Sequence, residues 1–270
     1  MHREITPMQP YLAAQAKELQ KLTLQNAEIS HCYQFKVGKG QAGEFCAVPD
    51  GSTDLVFSIG QRDVKVFIGG TVLRAKQWQF EEGRTHFGIR FRAGKNVLPQ
   101  GITIQDVVNA DLELDQAEYG ETAEKIAYAK DIRQRAEIFI EYCRKKQQVW
   151  QEFDSARAIE QFVRKKIYEN RGNITIHEIG EESGYSECYV RRSFQGFHGI
   201  SPKVFARFVR FQYMLELIGR EGKQVDLEQL GLACGYYDQS HMTREFKAFA
   251  GMAPESYRNY ICNKPGRAWQ

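Results

Sequence analysis

One line of this sequence is written twice. Residues 184–205 read GYSECYVRRSFQGFHGISPKVF, and residues 234–258 read CGYYDQSHMTREFKAFAGMAPESYR. With Gly184-Tyr185 laid on Gly235-Tyr236, the preceding Ile176, Ile179 and Gly180 fall on Leu227, Leu230 and Gly231. After the glycine the second copy carries one extra turn residue. Val190, Arg192, Phe194, Phe197, Gly199, Pro202 and Phe205 then fall on Met242, Arg244, Phe246, Phe249, Gly251, Pro254 and Tyr257. Both copies must therefore satisfy one backbone plan.

That plan can be written down from the residues. A short helix (176–182; 227–233) turns its apolar side inward. Gly184 or Gly235 follows where a helix C-terminus needs a left-handed residue. Ser186 or Asp238 stands ready to cap the next helix, which spans 187–197 or 239–249. Val190, Phe194 and Phe197 share one face of that helix, as do Met242, Phe246 and Phe249. Arg191, Arg192, Thr243 and Arg244 lie off the apolar face. Helix, glycine turn and helix with a polar outer face make a helix-turn-helix, whose second helix fits a major groove.

Between the copies runs SPKVFARFVRFQYMLELIGR. Pro202 suits a first helical turn and Gly219 suits an end. The resulting rod spans roughly 26 Å, against about 34 Å between successive major grooves on one face of DNA. Once the widths of the two units are added, such a rod can set two reading helices into adjacent grooves. Net charge is only +3, but Arg191, Arg192, Lys203, Arg207 and Arg210 face Glu187 alone between 186 and 210. A charge run by itself reads as a solvated helix face; the repeat gives this one a purpose.

The front of the chain obeys a different period. CYQFKV, EFCAV, DLVFSI, VKVFIGG, WQFEE and HFGIRFRAG alternate between 32 and 94 and are rich in Val, Ile, Phe and Tyr. These predict six strands of a small antiparallel sandwich or barrel. PDGSTD (49–54) and GQRD (60–63) are turn chemistry. Part of YLAAQAKELQKL reads as helix, and 95–118 as a connection with short elements. ETAEKIAYAKDIRQRAEIFIEYCRKKQQ (121–148) reads as helix broken near 130. Its stripe of Ile126, Ala129, Ile132, Ala136, Phe139, Ile140 and Cys143 can cover the sheet, pair with a second subunit, or do both. A linker is expected over 149–156, and the tail NKPGRAWQ is expected to fray. The fold class is thus α+β in two domains: residues 1–150 β-rich with C-terminal helices, and 157–262 all-α.

The line A-x-x-C-G-Y-x-D-x-S-x-M-x-R-x-F-K-x-x-x-G-x-x-P-x-x-Y-R, matched by Ala233 through Arg258, resembles the C-terminal signature of AraC/XylS-type transcription regulators. The resemblance covers about 157–260 with both repeats in place. It implies a seven-helix domain with two helix-turn-helix units that binds double-stranded DNA. The family's base- and phosphate-facing positions fall on Cys188, Arg191 and Arg192, and on Gln239, Ser240, Thr243 and Arg244. Cys188 stands where larger polar or aromatic residues are common. Arg192 and Arg244 can alternatively bond a neighbouring helix or a phosphate. VPDGSTDLVFSIG with HFGIRFRAG resembles, more loosely, the β-rich domain of one family subset, with Ala93 where that subset often has proline. The resemblance implies a regulator, an activator by preference. It also implies a small-molecule effector or a homodimer through the β-rich domain, and RNA polymerase as a further partner.

Tyr33, Phe35, Phe45, Phe57, Phe67, Trp78, Phe80, Phe87 and Phe91 could line an effector pocket or simply form core. Arg90 and Arg92 could receive an anion, or one of them could pair with Asp54 across the sheet. No G-x-S-x-G, P-loop or H-x-H set is present, so no catalysis is expected. The six cysteines show no C-x-x-C pair, so neither a metal site nor a disulfide framework is expected. No cofactor is implied. MHREITPMQPYLAAQAKELQ lacks the apolar core of a secretory signal, and no run is long and apolar enough to span a membrane. The expected address is the cytoplasm. A competing reading makes the β-rich domain a small-molecule-binding or catalytic module and the helical half a protein-docking surface.

Overall fold

The computed structural model describes residues 8–16, 18–38, 44–147, 155–224 and 226–263. The N-terminal half is an antiparallel β structure with helices, and the C-terminal half is all helical. Eight strands are described: β1 (Gln20–Thr23), β2 (Ile29–Lys36), β3 (Glu44–Ala47), β4 (Asp54–Ile59), β5 (Val64–Gly69), β6 (Lys76–Gln79), β7 (Thr85–Phe91) and β8 (Asp111–Leu114). Six form one sheet in the order β1-β2-β7-β4-β5-β8, and β3 pairs with β6 as a separate ribbon.

The alternation read from the sequence sorts side chains onto two covered faces. Cys32, Leu55, Phe57, Val66, Ile68, Phe87, Ile89 and Phe91 pack against helices α2 (Gln116–Tyr128) and α3 (Ile132–Gln147). The helices meet them with Tyr119, Ala123, Ile126, Ala136, Phe139 and Cys143, so the α3 stripe is spent on the sheet. On the other face Tyr33, Phe35 and Val37 pack with Phe45 of the ribbon and with Phe80. The β4–β5 turn closes with Gly60 N–H donating to the Asp63 carbonyl at 2.9 Å. In the turn at 49–54, Ser52 N–H donates to Asp50 Oδ1 at 2.9 Å.

Several expectations need correction. Only Pro10–Gln15 of the first helical stretch is helix (α1), because Gln20–Thr23 pairs with β2 as an edge strand. β8 pairs with β5 inside the stretch read as a connection. β6 begins at Lys76 and ends at Gln79, short of the expected WQFEE segment. The break near 130 separates α2 from α3 as expected. Of the linker, 149–154 lie outside the described residues and 155–156 already belong to α4 (Ser155–Glu169). Residues 264–270 of the tail lie outside them too.

Among the described residues the helical half has seven α-helices. After α4 come α5 (Ile176–Ser183), α6 (Glu187–His198), α7 (Pro202–Glu221), α8 (Leu227–Ala233), α9 (Gln239–Ala250) and α10 (Pro254–Cys262). The connecting helix α7 runs through Gly219 and stops at Gly222, whose φ of 67° is left-handed. Its 20 residues make a rod of about 30 Å. Gly222 N–H donates to the carbonyl of buried Ile218, which closes the last turn beyond the glycine.

The two halves share a core. Tyr11, Val48 and Ala93 lie in one buried cluster with Phe194, Phe205, Phe211 and Phe249. Tyr11 donates its hydroxyl to the Ala250 carbonyl at 2.5 Å. Gln212, in the middle of α7, accepts from Met8 N–H and donates to the Pro49 carbonyl, both at 2.8 Å.

Candidate nucleic-acid interface

The two repeats fold alike, each from its own caps. In the first, Thr175 caps α5 in a reciprocal box with Glu178, and Gly184 ends it at φ 73°. Ser186 then accepts from Tyr189 N–H to start α6. In the second, Asp226 caps α8 and Asp238 caps α9 by accepting from His241 N–H. Gly231 lies so close to Met242 that a Cβ there would sit 2.5 Å from Sδ. The glycine thus lets α8 lie close against α9. Val190 and Phe194 are buried on α6, as are Met242, Phe246 and Phe249 on α9. Phe197 is only partly buried, with the Arg157 guanidinium over its ring at 4.9 Å.

The opposite faces point to solvent. Cys188, Arg191 and Arg192 are not buried on α6, nor are Gln239, Ser240 and Arg244 on α9; Thr243 is half-buried. Their partners differ. Arg191 is paired with Glu187 at 2.6 Å. Arg192 lies over the Tyr189 ring at 5.5 Å. Arg244 Nε donates to the Ser240 carbonyl at 3.2 Å, within its own helix. Among the described residues, neither Arg192 nor Arg244 therefore bonds a neighbouring helix. A family model described as a helix-turn-helix domain matches residues 179–260, which spans both units and the rod between them.

Residues 179–260 form an AraC-type helix-turn-helix domain. With that domain the chain reads as a DNA-binding transcriptional regulator. The chain is similar to a probable AraC family transcriptional regulator from Rhodopseudomonas palustris CGA009, with 25% identity over 38% of this chain and 97% of that one, at a TM-score of 0.36. It is also similar to the C-terminal domain of AraT, a response regulator from Geobacillus stearothermophilus, with 22% identity over 38% and 83%, at 0.33. ToxT from Vibrio cholerae aligns over 90% of this chain and 99% of its own, with 10% identity and a TM-score of 0.43. No curated protein matches the chain.

The AraC-type domain is braced from within and from the β-rich half. Arg207 on α7 reaches Glu245 of α9 at 2.5 Å, and Arg210 donates to the Gly235 carbonyl at 3.2 Å. Both arginines belong to the basic run, yet they hold the second unit in place. The C-terminal ends of α6 and α9 rest on loops of the β-rich half. Gln105 donates to the Gln195 carbonyl at 3.4 Å, and Ala75 N–H donates to the Ala248 carbonyl at 3.2 Å. The N-terminal ends, where the exposed polar residues sit, are left outward.

Two buried polar clusters lie away from that face, and the first of them had no signal in the sequence pattern. Under α6, His198 and Glu160 of α4 meet at 2.9 Å, and Arg164 pairs with the same carboxylate at 2.8 Å. Burial above all lowers the His198 pKa, although Glu160 pulls the other way. Burial pushes the Glu160 carboxyl up, but His198 and Arg164 outweigh it and its pKa ends lowered. The consistent state is a neutral imidazole whose Nε2–H donates to a carboxylate balanced by Arg164. In the sheet, Arg90 pairs with Asp54, its register partner, and also with Asp50. Pairing across the sheet is thus the account that holds for Arg90. Burial raises the Asp54 pKa to about 6, Arg90 pulls it back and Asp50 adds to the rise. The pocket aromatics divide between the two faces: Phe57, Phe87 and Phe91 lie under the helices, Tyr33, Phe35, Phe45 and Phe80 under the ribbon. Trp78 stacks on Phe80 at 6.1 Å. They do not gather into one lining.

The described residues include no cluster of three or more His, Cys, Asp or Glu able to hold a metal. No described helix is long and apolar enough to cross a membrane.

Proposed function

We propose that the chain is a sequence-specific regulator of transcription that reads two successive major-groove segments of one duplex with α6 and α9. One observation carries this reading. Two separately capped helix-turn-helix units, each with an exposed polar face, are fixed to a single 20-residue helix, α7. Residues 157–262 are the DNA-binding domain. Arg192 is the base reader of the first unit, where a guanidinium can meet guanine O6 and N7 bidentately, and Arg244 is its counterpart on the contact face of the second. Gln239 is suited to adenine. Cys188, Arg191, Ser240 and Thr243 complete the contact face with phosphates and base edges.

Residues 1–150 serve as the effector or dimerisation domain. What supports this role is their shared core with the reading domain, through which an occupant or a second subunit changes its support. Activation rather than repression, contact with RNA polymerase and a cytoplasmic address follow from the family resemblance alone. Selection of bound fragments from genomic DNA by the purified chain tests the reading. The expected product is a shared motif whose two recurring blocks lie one helical turn apart, bound with an affinity that falls steeply with salt. Equal affinity for every fragment sinks it. A reporter placed behind the selected site then decides the sign of regulation.

A further inference from the structure

Arg191 and Arg192 are neighbours on α6, yet they are held by opposite chemistries. Glu187 bonds Arg191 through its N–H edge at 2.6 Å. A phosphate or a base must displace that carboxylate before it can use the same hydrogens. Arg192 instead lies with its guanidinium carbon over the ring of Tyr189, three residues before it, 5.5 Å from the centroid. A ring face binds the cation without occupying its N–H groups. Among the described residues no carboxylate lies within ion-pair distance of Arg192.

The ring is itself supported. Tyr185, in the turn before α6, stacks on Tyr189 with centroids 5.0 Å apart and planes 24° from parallel. The Tyr189 hydroxyl lies 3.4 Å from Ser155 Oγ at the start of α4. Tyr189 N–H is taken by the Ser186 cap, so its backbone is fixed as well. Tyr185 is 44% exposed, whereas its counterpart Tyr236 is 3% exposed. An exposed stack of two rings therefore has no equivalent in the second unit. There His241 replaces Tyr189, sits edge-on to Tyr236 at 5.5 Å and leaves Arg244 to a backbone oxygen.

We propose that Tyr189 is a positioning residue for DNA reading: backed by Tyr185, it holds Arg192 along α6 with its N–H groups outward, toward a guanine edge. The first unit is then the one that discriminates between sequences, and the second chiefly anchors. This rests on the reading of the chain as a sequence-specific DNA-binding regulator.

The experiment uses the full chain and compares dissociation constants on a duplex selected by the wild-type protein and on a random duplex of equal length, at one salt concentration. Their quotient is the discrimination ratio. Tyr189→Phe is expected to keep the wild-type ratio. Tyr189→Leu is expected to lower it by about two- to thirty-fold, the range of a cation–ring contact, with affinity for random DNA nearly unchanged. Arg192→Ala is expected to lower it at least as far, and the double variant no further than Arg192→Ala alone. Tyr185→Ala, at an exposed site, gives a second route that spares the fold and is expected to lower the ratio in the same direction. Additive losses in the double variant, equal weakening on both duplexes, or an unchanged ratio in both Tyr189→Leu and Tyr185→Ala overturn the proposal. A wild-type chain without any preference overturns the underlying reading instead, before a variant is made.

Discussion

The two helix-turn-helix units share a backbone and differ in how they hold their arginines. In the first, an aromatic stack carries Arg192 and a carboxylate masks Arg191. In the second, Arg244 folds back on Ser240, and the arginines that matter structurally, Arg207 and Arg210, come from α7. The first also ends on the buried polar His198, where the second has Ala250. The two units share cap, glycine and apolar triad, and most of their differences lie outside that set.

The comparison breaks first if the buried phenylalanines are unequal. Phe194→Ala and Phe246→Ala, each removing a fully buried ring, are expected to cost about 3–5 kcal/mol apiece in urea unfolding. A cost near zero for either would mean that its unit is not packed as described.

Acid separates the units. His198 has a folded pKa lowered below its unfolded value. Its stabilising contribution is present above the ordinary histidine pKa of about 6.5 and is lost as pH falls through the depressed folded value. Glu160, also lowered, acts in the same sense at lower pH. Hydrogen exchange between pH 7 and pH 4 is expected to loosen α6 before α9, each tenfold difference in proton affinity between the folded and unfolded chain being worth about 1.4 kcal/mol. Asp54 works in the opposite direction. Its folded pKa of about 6 lies above the unfolded value, so its contribution is greatest below about pH 4 and is lost as pH rises through about 6. Asp54→Asn is expected to remove that decline from the pH profile of the melting temperature. A profile of unchanged slope would refute the assignment.

On DNA, Arg192→Ala is expected to cost about 1–3 kcal/mol on the selected site and little on random sequence. Arg244→Ala is expected to cost less, and more evenly; electrophoretic mobility shifts on both duplexes read the difference. The cap substitutions Ser186→Ala and Asp238→Ala should each cost about 1 kcal/mol in thermal unfolding, because each removes the acceptor for one helix N-terminal N–H. Smallest of all, Glu187→Gln is expected to change stability by only about 0.3–0.5 kcal/mol while strengthening random DNA binding, since it unmasks Arg191. No gain in binding would mean that Arg191 lies off the DNA face.

The repeat made the helical half readable because its spacing encodes turn chemistry: Gly184, Ser186 and Asp238 stand where the expected backbone places them. Strand β1 escaped because Lys-Leu-Thr after an alanine-rich run has helical composition, and only its pairing with β2 makes it a strand. Gly219 failed to end α7 because the turn from Ile218 to Gly222 still closes its hydrogen bond, at the modest propensity cost of one glycine. Arg90 with Asp54 was visible as an option. Asp50 joined them through a turn that brings 49–54 back over β7, a closure no local pattern records. The outward face was legible in its residue types. Its unequal anchoring was not, since Tyr189 looks in sequence like any semi-polar helix position.

Helices α6 and α9 both lean at their C-terminal ends on the same neighbour, one through Gln105 and the other through Ala75. That neighbour works as a jig. Anything that shifts the β-rich half acts on both helix ends at once, so the tilts of α6 and α9 are coupled rather than independent.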